Sequence, residues 1–241
     1  METTSDWMAR EDIKVLRKST VKELYGFSFN RDPNRSIYYD PASMYSPADG
    51  FILYSKVVDP NTDIIAIKGG RYTINNLLRK ELDMPCLIIG IFMTLYDVHI
   101  NRMPTSGFLD FKSMEAMKAE NQTMTKVEIE VLGQLGVQPS DMKYNIYNER
   151  KINRVYDNRL GQPYYILQVA DFEVDVIAHY YKPKTLVQQG RRFAIVKNGS
   201  QVDLIIPFAN PKIGFESLVR NRIGWHVEAG VDKLVSVEGV Q

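Results

Sequence analysis

The stretch RRFAIVKNGSQVDLIIP, residues 191–207, contains two strand patterns separated by turn residues. The first run alternates as a strand does, and the second is almost continuously apolar apart from Asp203. Asn198-Gly199 is typical of a tight hairpin turn, because both residues tolerate a positive φ. The pattern therefore predicts two strands that enter one sheet, with Ser200 just past the turn.

Further strand patterns lie on the N-terminal side of this stretch, and few helical patterns separate them. Apart from the 191–207 stretch, they are FILYSKVV (51–58), DIIAIKGG (63–70), CLIIGIFMTLY (86–96), SGFLDF (106–111), NRVYD (153–157) and YYILQVADFEVDVIAHYY (164–181). Helical spacing of apolar residues is found at 9–25 and within 112–135. The sequence thus predicts a β-rich α+β fold: a single domain, 1–241, with an antiparallel β-sandwich or barrel-like core and a few peripheral helices.

The composition limits the classes of function. With 241 residues, 44% hydrophobic and 24% charged, the chain can bury a sizeable core. A net charge of +1 argues against nucleic-acid binding through a strong basic field. No apolar run approaches the roughly 20 residues of a membrane-spanning helix. The single cysteine, Cys86, excludes an internal disulfide and a Cys-based zinc cluster, so we expect no metal and a cytoplasmic protein.

Five separated segments share their order and composition with the motifs of one enzyme family. They are FNRDPNRSIYYDPASMYSPADGFI (29–52), IKGGRYTINNLL (67–78), IFMTLYDVHINRMPTSG (91–107), NERK (148–151) with QVA (168–170), and QGRRFAIVKNGSQVDLIIP (189–207). Together they resemble the short, prokaryotic-type phosphatidylserine decarboxylases, which depend on a pyruvoyl group. Each segment alone is a weak signal, but five in the same order make a strong one.

This resemblance implies that the chain cleaves itself between Gly199 and Ser200. The Ser200 hydroxyl would attack the Gly199 carbonyl, and an ester would replace the amide. β-Elimination would then release the upstream chain and leave a dehydroalanine, which hydrolyses to a pyruvoyl group and ammonia. The products would be a β chain, 1–199, and an α chain, 200–241. The cofactor is thus expected to derive from Ser200, where its ketone draws off the electrons left by departing carbon dioxide.

The resemblance also assigns roles to an aspartate and a histidine. Asp49, in SPADG, matches the family's motif aspartate, and His99, in DVHINR, matches its catalytic histidine. We expect Asp49 to orient His99, which would deprotonate Ser200 during cleavage and later protonate the decarboxylated carbanion. Taken alone, Asp49 would be a turn residue and His99 a hydrogen-bonded core histidine. His179 and His226 match no motif and are interpreted as structural or surface residues.

The residues that would bind substrate match the family's motifs only in part. Arg102 and Asn101, in HINRMP, are predicted to bind substrate, since a guanidinium can hold a phosphate or carboxylate with two hydrogen bonds. A structural ion pair is the equal alternative for Arg102. In QVADFEVDVI, Asp171 stands where the family has a glycine, and residues 175–176 stand where it has two arginines. Because of this departure, the sequence does not determine the headgroup of the substrate.

The activity that the resemblance implies is decarboxylation of phosphatidylserine, or a close phospholipid analogue, to phosphatidylethanolamine and carbon dioxide. Two alternatives stay open. One is a pyruvoyl-dependent decarboxylase of a soluble amino acid, which the altered QVADFEVDVI segment favours. The other is a non-catalytic scaffold, against which the joint presence of Asp49, His99 and Ser200 counts.

The expected partners follow from these readings. They are a phospholipid or amino-acid substrate, with a homodimer left open and no nucleic acid. If the substrate is a lipid, membrane contact is expected to be peripheral, through apolar and basic residues of the predicted helices at 9–25 or 112–135.

Overall fold

The computed structural model describes residues 1–24, 26, 30–65, 72–115, 123–134, 142–171, 177–196 and 200–239. Its helices are α1 (Thr4–Ala9), α2 (Glu11–Leu16), α3 (Val21–Glu23), α4 (Ile74–Leu78), α5 (Thr125–Leu132) and α6 (Tyr144–Tyr147). Its strands are β1 (Ser43–Tyr45), β2 (Gly50–Val58), β3 (Cys86–Met93), β4 (Ile100–Arg102), β5 (Gly107–Met114), β6 (Arg150–Asp157), β7 (Gln162–Ala170), β8 (Ile177–His179), β9 (Thr185–Val187), β10 (Arg192–Val196), β11 (Ser200–Pro207), β12 (Gly214–Ser217), β13 (His226–Val227) and β14 (Lys233–Glu238). The fold is β-rich, as the sequence predicts.

A central eight-stranded sheet organises the fold, with the order β13-β2-β3-β11-β7-β6-β5-β9. Every pairing in it is antiparallel, which confirms the predicted strand direction. In the described part of the chain the sheet is open, with β13 and β9 at its edges, and does not close into a barrel. β11 lies near the middle, between β3 and β7.

The sheet is covered on both faces because its central strands alternate between two hydrophobic clusters. On β11, Val202, Leu204 and Ile206 pack into one cluster, which includes Phe193 of β10. Ile205 points to the other cluster, which includes Trp7 of α1. Helices thus cover one face and two smaller sheets cover the other. Since side chains alternate along a strand, Ser200 lies on the face of the smaller sheets.

The smaller sheets have the orders β1-β14-β12 and β4-β10-β8, and they correct one prediction. β10 and β11 were expected to form a hairpin in one sheet, but they belong to different sheets. β11 pairs with β3 and β7 on its two sides, so no edge is left for β10. β10 pairs instead with β4 and β8. Residues 197–199, the predicted turn, lie outside the described residues.

The predicted helices are present but shorter than expected. The segment 9–25 contains α2 and α3, and α1 precedes it; Arg10 has an extended backbone with ψ 141° that separates α1 from α2. A capping box begins α3, because the Thr20 and Glu23 side chains each bind the other's backbone N–H. Within 112–135 only α5 is helical among the described residues.

The remaining predicted elements differ in part. Residues 63–65 form no strand, and 66–71, the rest of that predicted strand, lie outside the described residues. Residues 172–176, in the middle of the predicted strand at 164–181, also lie outside them. None of the helices described here has the length and apolar character needed to cross a bilayer.

Candidate active site

Ser200 is the first residue of β11 and is fully buried. It lies opposite Met93 of β3 on one side and Ala170 of β7 on the other. Its hydroxyl is 3.1 Å from the Met93 sulfur, a weak acceptor. The central sheet therefore holds this serine between apolar neighbours. Gly199, the other residue of the predicted cleavage site, lies outside the described residues.

His99 is buried just before β4 and is held in one tautomer. Its Nδ1 lies 3.0 Å from the backbone carbonyl oxygen of Asp97. Because a carbonyl only accepts, Nδ1 carries the proton and Nε2 is the basic nitrogen. Burial, which disfavours the charged ring, lowers the pKa of His99 to about 4, and nearby Arg31 acts in the same direction. The imidazole is therefore neutral near pH 7.

The strand pairings bring the segment of His99 next to the segment that leads to Ser200. The end of β3 lies beside the start of β11, with Met93 opposite Ser200. The start of β4 lies beside the end of β10, and the Val196 N–H donates to the His99 carbonyl oxygen at 3.1 Å. The chain thus leaves β10 beside His99 and begins β11 beside Met93. Direct contact between the two side chains stays a prediction.

Asp49 lies directly before β2 and is bound by an arginine that the sequence analysis did not single out. Two guanidinium nitrogens of Arg35 each donate to one carboxylate oxygen of Asp49 at 2.6 Å. The Ala229 N–H donates to the same carboxylate at 2.8 Å. Burial by itself lowers the pKa of Arg35, but Asp49 outweighs burial and raises it. The orientation of His99 by Asp49 stays a prediction.

A cavity of about 250 Å³ adjoins these residues and is lined by Arg35, Asp49, Asp97, Val98 and His226, among others. Inside it, His226 Nε2 lies 2.7 Å from an Asp97 carboxylate oxygen. Burial would raise the pKa of Asp97, but His226 holds it below its usual range. His226 is a buried, paired residue, as its structural interpretation requires, yet it lines the cavity beside the site. No motif around it indicated that position.

Asn101 is fully buried and begins a chain of polar side chains. Its Oδ1 accepts from Gln168 Nε2 at 2.6 Å, and its Nδ2 lies 3.8 Å from the Met93 sulfur that Ser200 also contacts. Gln168 Oε1 accepts from Asn153 at 2.8 Å, and Asn153 Oδ1 lies 2.5 Å from His179 Nε2. These bonds hold Asn101 beside Met93, on the same face of the central sheet as Ser200. Substrate binding by Asn101 stays a prediction.

Arg102 is paired, as its structural alternative requires, and it also lines a cleft. Substrate binding by Arg102 stays a prediction. Its side chain is buried, donates to the Gly190 carbonyl oxygen at 3.0 Å and reaches Asp32 at 3.4 Å. It lines a cleft of about 490 Å³, whose lining includes Asp32, Arg35, Arg102, Tyr180, Arg191 and Arg192. We call this the arginine cleft. Its charge suits an anionic group.

Behind Ser200, on the other face of the sheet, buried polar groups surround Asp203. Its carboxylate accepts from Tyr54 at 2.7 Å, from Gln201 at 2.8 Å and from Tyr72 at 3.3 Å. Gln201 is held in turn by the Tyr144 hydroxyl at 2.7 Å. Burial raises the pKa of Asp203 to about 6. These bonds explain how a buried strand tolerates an aspartate, and they anchor the residue next to Ser200 on β11.

Among the described residues, no three His, Cys, Asp or Glu side chains are grouped as ligands for a metal ion. A buried serine begins a central strand, near the segment that carries a neutral histidine. Serine-based chemistry at this position stays a prediction.

The comparison with known families identifies the class. Residues 26–231 match the family profile that is described as "Phosphatidylserine decarboxylase". The chain therefore belongs to the phosphatidylserine decarboxylase family, which confirms the resemblance drawn from the five sequence segments.

Individual members of the family are similar to this chain over most of its length. A phosphatidylserine decarboxylase proenzyme of Erythrobacter litoralis is 28% identical over 184 residues, which cover 75% of this chain and 63% of that protein. The corresponding proenzyme of Geotalea uraniireducens is 26% identical over 78% of this chain and 70% of its own length. A putative archaetidylserine decarboxylase proenzyme of Methanocaldococcus jannaschii is 26% identical over 76% of this chain and 79% of its own. The chain thus spans about two thirds of the length of the first two relatives.

Proposed function

We propose that the chain cleaves its Gly199–Ser200 bond and then decarboxylates phosphatidylserine, or a close phospholipid analogue, to phosphatidylethanolamine. The observation that carries this proposal is the position of Ser200. It is fully buried where the chain passes from β10 in one sheet to β11 in another, next to the segment of His99. Family membership and the relatives named as proenzymes support the same reading.

Ser200 and His99 can supply the nucleophile and the base that the cleavage step requires. The Ser200 hydroxyl is a poor nucleophile without a base. His99 is neutral near pH 7, and its Nδ1 donates to the Asp97 carbonyl, so Nε2 is the basic nitrogen of the ring and is proposed to take the proton. The Ser200 oxygen attacks the Gly199 carbonyl carbon, and the amide nitrogen leaves that carbon as the amine of an ester. β-Elimination then removes the Ser200 α-proton and breaks the bond from its β-carbon to the oxygen, which frees the Gly199 carboxylate and leaves a dehydroalanine. Water hydrolyses the dehydroalanine to a pyruvoyl group and ammonia.

The strand pairings suit a chain that stays folded after cleavage. β11 stays paired with β3 and β7, and β10 stays paired with β4 and β8, so neither new end is released from its sheet. The 200–241 fragment also supplies β12, β13 and β14, and the last two pair with β2 and β1 of the first fragment. The two fragments therefore remain one folded unit.

The surroundings of Ser200 also suit a pyruvoyl group in its place. Such a group is small and uncharged, and the side-chain position of Ser200 is flanked by Met93 and Ala170. When present, it supplies an electron sink for decarboxylation. The protein's contribution is then to hold the substrate, for which Arg102 and Asn101 are the proposed ligands, and to move a proton, for which His99 is proposed. Asp49 is proposed to support His99; it lines the same cavity as Asp97, whose backbone carbonyl holds His99 Nδ1.

The mass of freshly purified protein tests the cleavage. Wild type is expected to give two fragments, 1–199 and 200–241, and the smaller one should resist Edman degradation because a ketone replaces its amine. Ser200→Ala should remain one chain with no decarboxylase activity. Ser113→Ala, which removes an exposed hydroxyl on β5, is the matched control and should cleave as wild type does. A wild-type chain that stays whole after long incubation, with no carbonyl trapped by hydroxylamine, would contradict the proposal.

Carbon dioxide release tests the substrate. Phosphatidylserine in mixed micelles is expected to be decarboxylated, and free serine is not, because the relatives' names specify phospholipid substrates. The reverse result, with cleavage intact, would replace the lipid with a soluble amino acid.

A further inference from the structure

The chain concentrates positive charge in one segment although its net charge is only +1. Residues 177–202 contain five Lys and Arg residues and no Asp or Glu. Four of the five, Lys182, Lys184, Arg191 and Arg192, are exposed, and the fifth lies outside the described residues. Arg35 and Arg102 add to this charge inside the arginine cleft, whose lining includes only one carboxylate, that of Asp32.

The basic side chains of this segment and of the arginine cleft differ in how far protein groups already neutralise them. Arg35 is fully engaged by Asp49, and Arg102 by the Gly190 carbonyl and Asp32. Arg192 shares Asp32 with Arg102, at 2.7 Å, while its side chain stays 47% exposed. The exposed side chain of Arg191 has no hydrogen bond or ion pair with the described residues. An external anion can therefore reach the two exposed arginines, Arg191 and Arg192.

Apolar and aromatic side chains accompany the charge. Ile37 and Tyr180 line the arginine cleft and are 45% and 51% exposed. Tyr38, next to Ile37 in the chain, is 60% exposed, and Leu186 on the adjoining β9 is also 60% exposed. Basic residues beside exposed tyrosines and aliphatic residues are the composition of surfaces that rest on a lipid interface.

We propose that this face, formed by residues 32–38 and 180–192, docks on the anionic surface of a phospholipid bilayer. Arg191, Arg192, Lys182 and Lys184 would meet the lipid phosphates, and Ile37 and Tyr180 would enter the headgroup region. The inference deepens the proposed function, on which it rests for the identity of a bilayer lipid as substrate. It names a different face from the helical segments 9–25 and 112–135.

The position of the face relative to the candidate site supports this orientation. Arg35 lines the arginine cleft and also the cavity that contains Asp49 and His226. β10 begins at Arg192 in the cleft and ends at Val196 beside His99. A lipid that enters from the docked bilayer therefore meets arginines first and the serine segment afterwards.

Co-sedimentation with vesicles tests the docking in a Ser200→Ala background, where binding does not depend on cleavage. The probes are vesicles of phosphatidylcholine alone and of phosphatidylcholine mixed with phosphatidylglycerol. The protein should prefer the anionic vesicles, and high salt should weaken binding. Arg191→Glu/Arg192→Glu should lower the partition coefficient by at least about 30-fold, because each basic side chain near an anionic surface contributes roughly fivefold and each introduced carboxylate is repelled by that surface.

A matched control separates this face from overall charge. Lys212→Glu/Arg220→Glu reverses two exposed charges outside the cleft and should change binding by less than about threefold, since screening acts over about 8 Å. Thermal unfolding confirms that both double variants are folded. Equal losses in both, or no preference of the parent for anionic vesicles, would overturn the inference. Docking without wild-type cleavage would refute the proposed function alone, and cleavage without docking would refute the inference alone.

Discussion

Replacing the ion pair of Asp49 and Arg35 separates a structural from a catalytic role of Asp49. The two side chains are only 4% and 8% exposed, and they share two hydrogen bonds of 2.6 Å. Asp49→Leu would leave the Arg35 guanidinium buried without its carboxylate. The proposed function requires more of Asp49 than this pairing, because it assigns Asp49 a part in the action of His99.

The expected cost depends on the bonds that are lost. Removing one partner of a buried ion pair costs about 3–5 kcal/mol. The Ala229 N–H, which donates to Asp49 at 2.8 Å, would add about 1–3 kcal/mol as an unsatisfied buried donor. Asp49→Leu should therefore lower the free energy of unfolding by about 4–8 kcal/mol. In Arg35→Met/Asp49→Leu the stranded charge is gone, so only the Ala229 term of about 1–3 kcal/mol should remain.

Urea unfolding in the Ser200→Ala background measures these values without interference from cleavage. The same substitutions in the Ser200 background are then followed by denaturing gel at a temperature where the double variant is folded. We expect the double variant to regain most of its stability and still to remain uncut. If it cleaves at the wild-type rate, Asp49 serves only to neutralise Arg35, and its proposed catalytic role is wrong. A cost below about 1 kcal/mol for Asp49→Leu would refute the energetic reasoning.

Two further predictions concern buried groups that titrate. Because the pKa of His99 falls from 6.5 to about 4 on folding, its contribution to stability is present above pH 6.5 and is lost as pH falls toward 4. The difference in unfolding free energy between wild type and His99→Gln should thus shrink by about 3 kcal/mol from pH 7 to pH 4, measured by urea titration; a constant difference would contradict a buried neutral imidazole. Tyr54→Phe removes a hydroxyl that donates to Asp203 and should cost about 1.5–3 kcal/mol at pH 8. The cost should be smaller at pH 5, because the pKa of Asp203 is raised to about 6 and its carboxylate is then protonated; an equal cost at both pH values would argue against a charged Asp203.

Much of the fold could be predicted because strand periodicity is local. The apolar run at 86–96 contains β3, the run at 164–181 overlaps β7, and the run at 191–207 contains β11. Alternation along these strands decides which side chains share a face, and the structure confirms it for β11. The motif segments are also local, and their order along the chain was enough to indicate the family. The lengths of the N-terminal helices were less predictable, because the helical pattern at 9–25 is divided between α2, which ends at Leu16, and α3, which begins at Val21.

Neighbours distant in sequence could not be predicted. Arg35 lies near Asp49 in the chain, yet nothing in its local pattern shows that it takes both carboxylate oxygens. His226 meets Asp97 across 129 positions, and Ala229 meets Asp49 across 180. Such contacts depend on how whole strands are placed.

The sequence by itself determined most strands of the central sheet, the faces on which the side chains of β11 lie, and the Gly199–Ser200 junction as the predicted place of the chemistry. It predicted wrongly that β10 and β11 pair as a hairpin. Only the tertiary structure decided this, because a strand has two hydrogen-bonding edges and β3 and β7 occupy both edges of β11. β10 is left to pair with β4 and β8, which places the serine between two sheets. Competition among distant strands for the same edges is a property of the whole fold, and no local pattern contains it.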